Sequence, residues 1–195
     1  GTNLSTAEAG AIEYDGVNFY ATAETTSGRN VIPEYQQFYV SAGGSAIGPG
    51  ISNFFGGNSA ASLAASTTYE IECYCFFLKT TAGTVTWAPT FSTSASVAHA
   101  ILEYTPATGF TTTNISGAMT SVEATQQTVG AMTFAATASL STGVYHIAKF
   151  KIFVTTGSAC NFRLNLTQSL GTVQAGPGSW YTVRKIASSA GNFVA

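Results

Sequence analysis

The chain has 195 residues and a formal net charge of −2, and charged residues make up 8% of it, against about 25% in an average soluble domain. That balance leaves no electrostatic footprint for nucleic acid or an anionic membrane, and it supplies few groups for acid–base catalysis. Hydrophobic residues make up 45% and aromatics 12%, so the length suffices for one domain with a real core and a small appendage.

No apolar run approaches the length of a membrane-spanning helix, so no membrane insertion is expected. The opening GTNLSTAEAG lacks the basic and apolar regions of a signal peptide. The chain does not begin with Met and reads as a piece of something longer. Cys73, Cys75 and Cys160 are odd in number and irregular in spacing, which argues against a disulfide framework. They read as small buried hydrophobes.

Residues 1–33 form a leader that holds Glu8, Glu13, Asp15 and Glu24. Within it AIEY-DG-VNFYAT predicts a short hairpin turning at Asp15-Gly16. Arg29–Pro33 reads as a junction to a main domain at 34–195. There Tyr35–Ala42 is the first strand, and Gly43–Gly57 is a glycine-rich loop anchored by Ile51, Phe54 and Phe55. Thr67–Thr80 is the longest strand-like run. Period-two alternation places Tyr69, Ile71, Cys73, Cys75 and Phe77 on one face, and Glu70, Glu72, Tyr74, Phe76 and Leu78 on the other. Val85–Thr93 and Val97–Tyr104 read as separate strands, followed by the Thr-rich loop Thr105–Asn114. Ile115–Thr128 is weakly patterned, and Val129–Ala138 is again a strand. Val144–Thr155 has His146, Ala148, Phe150, Ile152 and Val154 on one face and Lys149 and Lys151 on the other. Asn161–Leu170 and Ser179–Ile186 close the chain. Recurrent strands with turns between them, and no convincing period of 3.6, predict an all-β protein. The expected fold is an antiparallel jelly-roll-like β-sandwich preceded by the hairpin leader.

Two charge pairs predict a register. If the strands carrying Glu70 and Glu72 and Lys149 and Lys151 are antiparallel neighbours, Glu70 opposes Lys151 and Glu72 opposes Lys149. Such pairs contribute roughly 0.2–1 kcal/mol each and select register more than they stabilise.

Leu63–Thr84 (LAASTTYEIECYCFFLKTTAGT) resembles a recurrent segment of phage virion proteins. Asn161–Ile186, with the aromatic pair Trp180-Tyr181, is similar to their closing strands, and the opening GTNLSTAEAGAIEYDGVNFYAT resembles a tail-fibre linker between shaft and head. This resemblance implies a trimeric virion component. It would be the distal head of a phage tail fibre that contacts other virion proteins and binds a host cell-surface polysaccharide or protein receptor. A capsid decoration (cement) protein on the capsid surface is the alternative, and a tailspike depolymerase ranks below both.

Catalytic residues are not expected. No G-x-S-x-G elbow occurs, His99 and Glu103 stand too far apart for an orienting hydrogen bond, and Glu70 and Glu72 are better explained by the lysines than as a glycosidase pair. Asp15 is the only aspartate, and neither a metal nor a cofactor is expected. Loop aromatics can stack on sugar rings. The candidates for receptor binding are Phe110, Thr111 and Thr112, then Phe54 and Phe55, with Trp87 and Trp180 also considered. Tyr74, Phe76 and Leu78 form an apolar patch that a soluble monomer avoids exposing, so they are expected at a trimer interface.

Overall fold

The structure is a computed structural model that describes residues 8–14, 19–22, 30–32, 35–44, 46–57, 60–104, 120–124, 129–131, 133–134 and 139–186. Fifteen strands and no helix occur among the described residues. The first three are β1 (Ile12–Tyr14), β2 (Phe19–Ala21) and β3 (Asn30–Ile32), which form a separate three-stranded antiparallel sheet. The expected hairpin is its β1–β2 pair, where Tyr14 faces Phe19 across the ladder and the two rings stack at 4.7 Å. The segment read as a junction supplies the third strand, β3. The Asp15-Gly16 turn lies outside the described residues.

The remaining strands are β4 (Tyr35–Tyr39), β5 (Ala46–Ile47), β6 (Gly50–Asn53), β7 (Ala61–Leu63), β8 (Thr68–Lys79), β9 (Val85–Tyr104), β10 (Thr120–Ala124), β11 (Val129–Ala131), β12 (Tyr145–Thr156), β13 (Cys160–Gln168), β14 (Val173–Ala175) and β15 (Trp180–Ile186). Their pairings are antiparallel and nested. β4 pairs β15, β6 and β7 pair β13, β8 pairs β12, and β9 pairs β10 and β11. One long hairpin whose successive nested pairs alternate between two layers is the jelly roll. One layer reads β4-β15-β8-β12, and the other is built on β13 and β9.

β9 is where the two layers join. Its first half, Val85–Phe91, pairs with β13, and its second half, Ala95–Tyr104, pairs with β12. The two strands expected at Val85–Thr93 and Val97–Tyr104 are one continuous strand. The chain crosses between layers where they meet without leaving the extended conformation, and the β12 ladder shifts register nearby. Gly43–Gly57 is likewise not all loop, since it holds β5 and β6 at the sheet edges.

The core lies between the layers. Alternation along β8 sends Tyr69, Ile71, Cys73, Cys75 and Phe77 inward, all nearly inaccessible. Trp87 from β9 meets Phe77 of β8 at 5.5 Å and Phe150 of β12 at 5.2 Å, and Phe162 of β13 meets Tyr181 of β15 at 5.8 Å. Aromatic pairs at these distances add to the stabilisation from area burial by roughly 0.5–1.5 kcal/mol each.

β14 and β15 share one edge of β8, and residues 176–179 bridge them opposite Phe76. The Gly176 amide donates to the Phe76 carbonyl at 2.8 Å, and the Phe76 amide donates to Ser179 Oγ at 2.9 Å. A side chain on Gly176 would place a Cβ 3.2 Å from Phe76 Cβ, so the bridge lies close against the strand.

Candidate functional site

The outer face of the β4-β15-β8-β12 layer collects most of the predicted residues. Register alone assembles it in rows. Tyr39, Trp180, Tyr74, Lys149 and Glu103 are successive cross-strand neighbours. The next row is Gln37, Thr182, Glu72, Lys151 and Ile101, and the next is Tyr35, Arg184, Glu70 and Phe153. On the other side Phe76 lies opposite Ile147 and Leu78 opposite Tyr145.

The two charged strands are antiparallel neighbours, but the expected register is corrected by two residues. Lys151 stands opposite Glu72 rather than Glu70, and Lys149 stands opposite Tyr74 rather than Glu72. Lys151 still reaches both carboxylates, Glu70 diagonally at 2.7 Å and Glu72 at 3.2 Å. Glu70 is also paired with Arg184, a partner that sequence reading missed. Its signal was phase. Arg184 is four residues beyond Trp180 on the same strand face, but nothing in the sequence placed that strand beside β8. Glu70 is nearly buried, at 8% side-chain exposure, whereas Lys151 and Arg184 are about half exposed. Burial works to raise the Glu70 pKa, but hydrogen bonds from Lys151 and Arg184 outweigh it and hold the carboxyl below its usual range.

Released from Glu72, Lys149 lies over the Tyr74 ring with Nζ 5.2 Å from its centroid. Tyr74 in turn lies nearly parallel to Trp180, with centroids 6.1 Å apart and planes at 8°, and contacts Phe76 edge-on at 4.9 Å. A shallow trough of about 270 Å³ runs among Glu72, Tyr74, Ile101, Glu103, Lys149 and Trp180. Tyr74, Phe76 and Leu78 are half-buried in the single chain, while Tyr39 and Tyr35 at its rim are 70% and 58% exposed. The face is therefore aromatic along one side, with Glu70, Glu72, Lys151 and Arg184 gathered into one ion-paired cluster and Lys149 and Glu103 outside it.

The loop aromatics have other fates. Phe54 is 2% exposed, packs against Phe77 and Trp87, and cannot offer its face to a ligand. This corrects its reading as a stacking residue. Trp87 is fully buried for the same reason. Phe55 is half-buried against Tyr181 at 4.8 Å. Phe110, Thr111 and Thr112 lie outside the described residues. Beside Phe55, where β5, β6 and β13 meet, a groove of about 660 Å³ is lined by parts of the glycine-rich segment (Gly44, 46–48 and 51–57) together with Val40, Arg163, Asn165 and Ala175.

Behind the outer face is a buried polar cluster that sequence reading also missed. Lys79 continues the inward face of β8, is 2% exposed, and donates to Gln168 Oε1 at 3.2 Å and to the Leu170 carbonyl at 3.0 Å. Burial lowers its pKa. His146 is wholly buried beside Phe77, with Nε2 3.0 Å from the Ser141 carbonyl. Its pKa is lowered by burial and, less, by Lys79, against the opposing hydrogen bond to Ser141. Cys73 and Cys75 are buried, and burial pushes both thiols well above their ordinary range. Among the described residues no cluster of His, Cys, Asp and Glu could hold a metal ion, and no helix is long and apolar enough to cross a membrane.

The fold defines the class as an antiparallel double-layer jelly roll. No family model matches the chain, and no curated protein matches it. Among solved structures, the chain shows a likeness to one of the infectious bursal disease virus Gx strain, with 13% identity and a TM-score of 0.28, covering 89% of this chain and 46% of that one. A structure of the Gt strain gives 14% identity and a TM-score of 0.27, covering 87% and 48%. The chain thus spans about half the length of each, and likenesses this slight carry no weight for function.

Proposed function

We propose that the chain is a virion structural protein with no catalytic role: the distal head of a trimeric phage tail fibre that binds a host cell-surface receptor. The observation that carries the reading is the outer face of the β4-β15-β8-β12 layer, where Tyr39, Trp180, Tyr74, Phe76 and Leu78 make a continuous aromatic and apolar strip on a regular sheet. Its occupant is a further copy of the same chain. The strip carries Lys149 and Glu103 at one end, so one copy offers both signs to the next. A net charge of −2 leaves little repulsion between copies. Burial of such a strip contributes roughly 25 cal/mol per Å² of apolar surface, less the cost of association. Jelly rolls occur in viral coat and lectin domains, and the fold alone does not choose between them.

The test is light scattering on the purified chain, with cell and capsid binding measured in parallel. A trimer mass that falls to a monomer in Tyr74→Asp/Phe76→Asp, with the circular dichroism spectrum retained, supports the reading. A wild-type monomer at micromolar concentration refutes the interface. Binding to capsid shells without binding to host cells replaces the fibre head with a capsid decoration protein, and clearing of host polysaccharide replaces it with a depolymerase.

A further inference from the structure

We infer that the groove beside β6 and β13 binds a carboxylate-bearing sugar of a surface glycan. The inference rests on the receptor-binding reading above and names the ligand class and the place where it would bind. The groove lies at the edge formed by β5, β6, β13 and Ala175 of β14, whereas the aromatic strip centres on the outward face of β8 and β15, and none of Tyr74, Phe76, Leu78 and Trp180 lines it.

The chemistry comes from three kinds of group. Arg163 projects outward from β13, whose neighbours Phe162 and Leu164 point into the core, and among the described residues it is the one charged side chain lining the groove. It has no ion-pair partner among the described residues. By contrast, Lys151 and Arg184 are committed to Glu70, and Lys79 is buried. A guanidinium with its fork free is matched by a planar carboxylate. Beside it Asn165 stands one pleat along on the same face; its Nδ2 donates to Thr90 Oγ1 at 3.1 Å, which aims the amide and leaves its oxygen to accept from a sugar hydroxyl. Ile51, 76% exposed, and Phe55 supply an apolar surface for the C–H face of a pyranose ring. A volume of about 660 Å³ lies in the range of small-ligand sites, which run from roughly 300 to 1,000 Å³.

The groove is also held in shape before any ligand arrives. Gln168 Nε2 donates to the Ile47 carbonyl, the Gly44 amide to the Ala175 carbonyl at 2.9 Å, and the Phe54 amide to the Leu164 carbonyl at 2.9 Å. Asn53 Nδ2 donates to the Gly56 carbonyl at 2.9 Å and so closes the turn after β6. Gly44 comes so near β14 that a Cβ there would stand 3.1 Å from Ala175 Cβ. A preformed wall lowers the ordering cost of binding. A single cation fits one carboxylate and does not fit a nucleic acid, whose affinity comes from many phosphate contacts.

The experiment is calorimetry and saturation-transfer NMR on the full chain with sialyllactose and a glucuronate-containing oligosaccharide, using lactose as the neutral control. Binding of an acidic probe at least tenfold tighter than lactose is expected. It should be abolished by Arg163→Gln, weakened by Arg163→Lys, and unchanged by Lys149→Gln on β12, which does not line the groove. Arg163 is exposed on its strand, so the Gln variant keeps its fold, and its unfolding midpoint checks this. Neutral and acidic probes binding alike, or acidic binding that survives Arg163→Gln, overturns the inference while leaving a receptor-binding head in place. Host-cell binding that persists in Arg163→Gln also overturns the inference alone, whereas wild-type chain that binds neither cells nor any probe removes both.

Discussion

Replacing Glu70 with Gln tests the electrostatic centre of the outer face. The carboxylate is 8% exposed and accepts from Lys151 at 2.7 Å and from Arg184. A hydrogen bond to a charged group is worth about 1.5–3 kcal/mol when sheltered, but both cations are half exposed and their share is screened toward the 0.2–1 kcal/mol or so of surface pairs. Glu70→Gln keeps the shape and loses the charge, so the expected loss at neutral pH is about 1–2 kcal/mol. At roughly 2–4 °C per kcal/mol for a chain of this size, Tm falls by about 2–8 °C. The pH dependence is the sharper signature. The folded pKa of Glu70 lies below the unfolded value of 4.5. Its contribution is therefore complete above pH 4.5 and drains away as pH falls through the folded value. Urea unfolding of both proteins from about pH 7 to about pH 2 should show a gap that closes with acid. Equal stability at neutral pH, or a gap that stays constant into acid, would refute the assignment of Glu70 as an ion-paired carboxylate.

Two further perturbations probe other parts of the fold. His146 is buried and neutral with a pKa lowered from 6.5, so its contribution is complete above pH 6.5 and is lost progressively as pH drops below it. Unfolding free energy of His146→Phe, which keeps the ring contact with Phe77, should be flatter than wild type between about pH 6.5 and pH 5, a window above that of Glu70; parallel curves would show that the histidine does not titrate on unfolding. Gly171 has φ +66° and its Cβ would fall 2.7 Å from Thr81 Cβ, whereas Gly178 has φ +83° with open space around it. Gly171→Ala should therefore cost about 2–4 kcal/mol by denaturant unfolding and Gly178→Ala about 1–2 kcal/mol. The reverse order would contradict the packing of the 169–172 turn against Thr81.

The long strands were legible because each has one face in the core. β8 and β12 alternate with period two along their lengths, and their inward positions are apolar except Lys79, His146 and Thr156 at the strand ends. Short strands left no such trace. β5, β6 and β14 hold two to four residues, too few for a period, in stretches rich in glycine. The nested pairing that makes the jelly roll is set by contacts between distant segments, and local patterning cannot see it. Lys79 and Gln168 escaped notice for a related reason: each satisfies the other only because β14 and the 169–172 turn bring them together.

The register error shows the same limit more finely, and it matters for the proposed assembly face. A slip of one residue turns every side chain to the wrong side, so hydrophobic pattern forbids it. A slip of two leaves each side chain on its own face, and only particular pairs distinguish the alternatives. Here the charges could not decide by themselves, since a lysine reaches directly opposite and diagonally with similar ease. Lys151 does both, holding Glu72 across the ladder and Glu70 on the diagonal. With Arg184 completing the shell of Glu70, no carboxylate of that cluster needs Lys149. The second lysine is left to the aromatic row, above Tyr74 and opposite Glu103. In the expected register it would have been neutralised by Glu72 and the aromatic strip would have ended in plain apolar surface. In the observed one the strip ends in a cation and a carboxylate side by side, which under the proposed self-association would give a neighbouring copy a direction in which to dock.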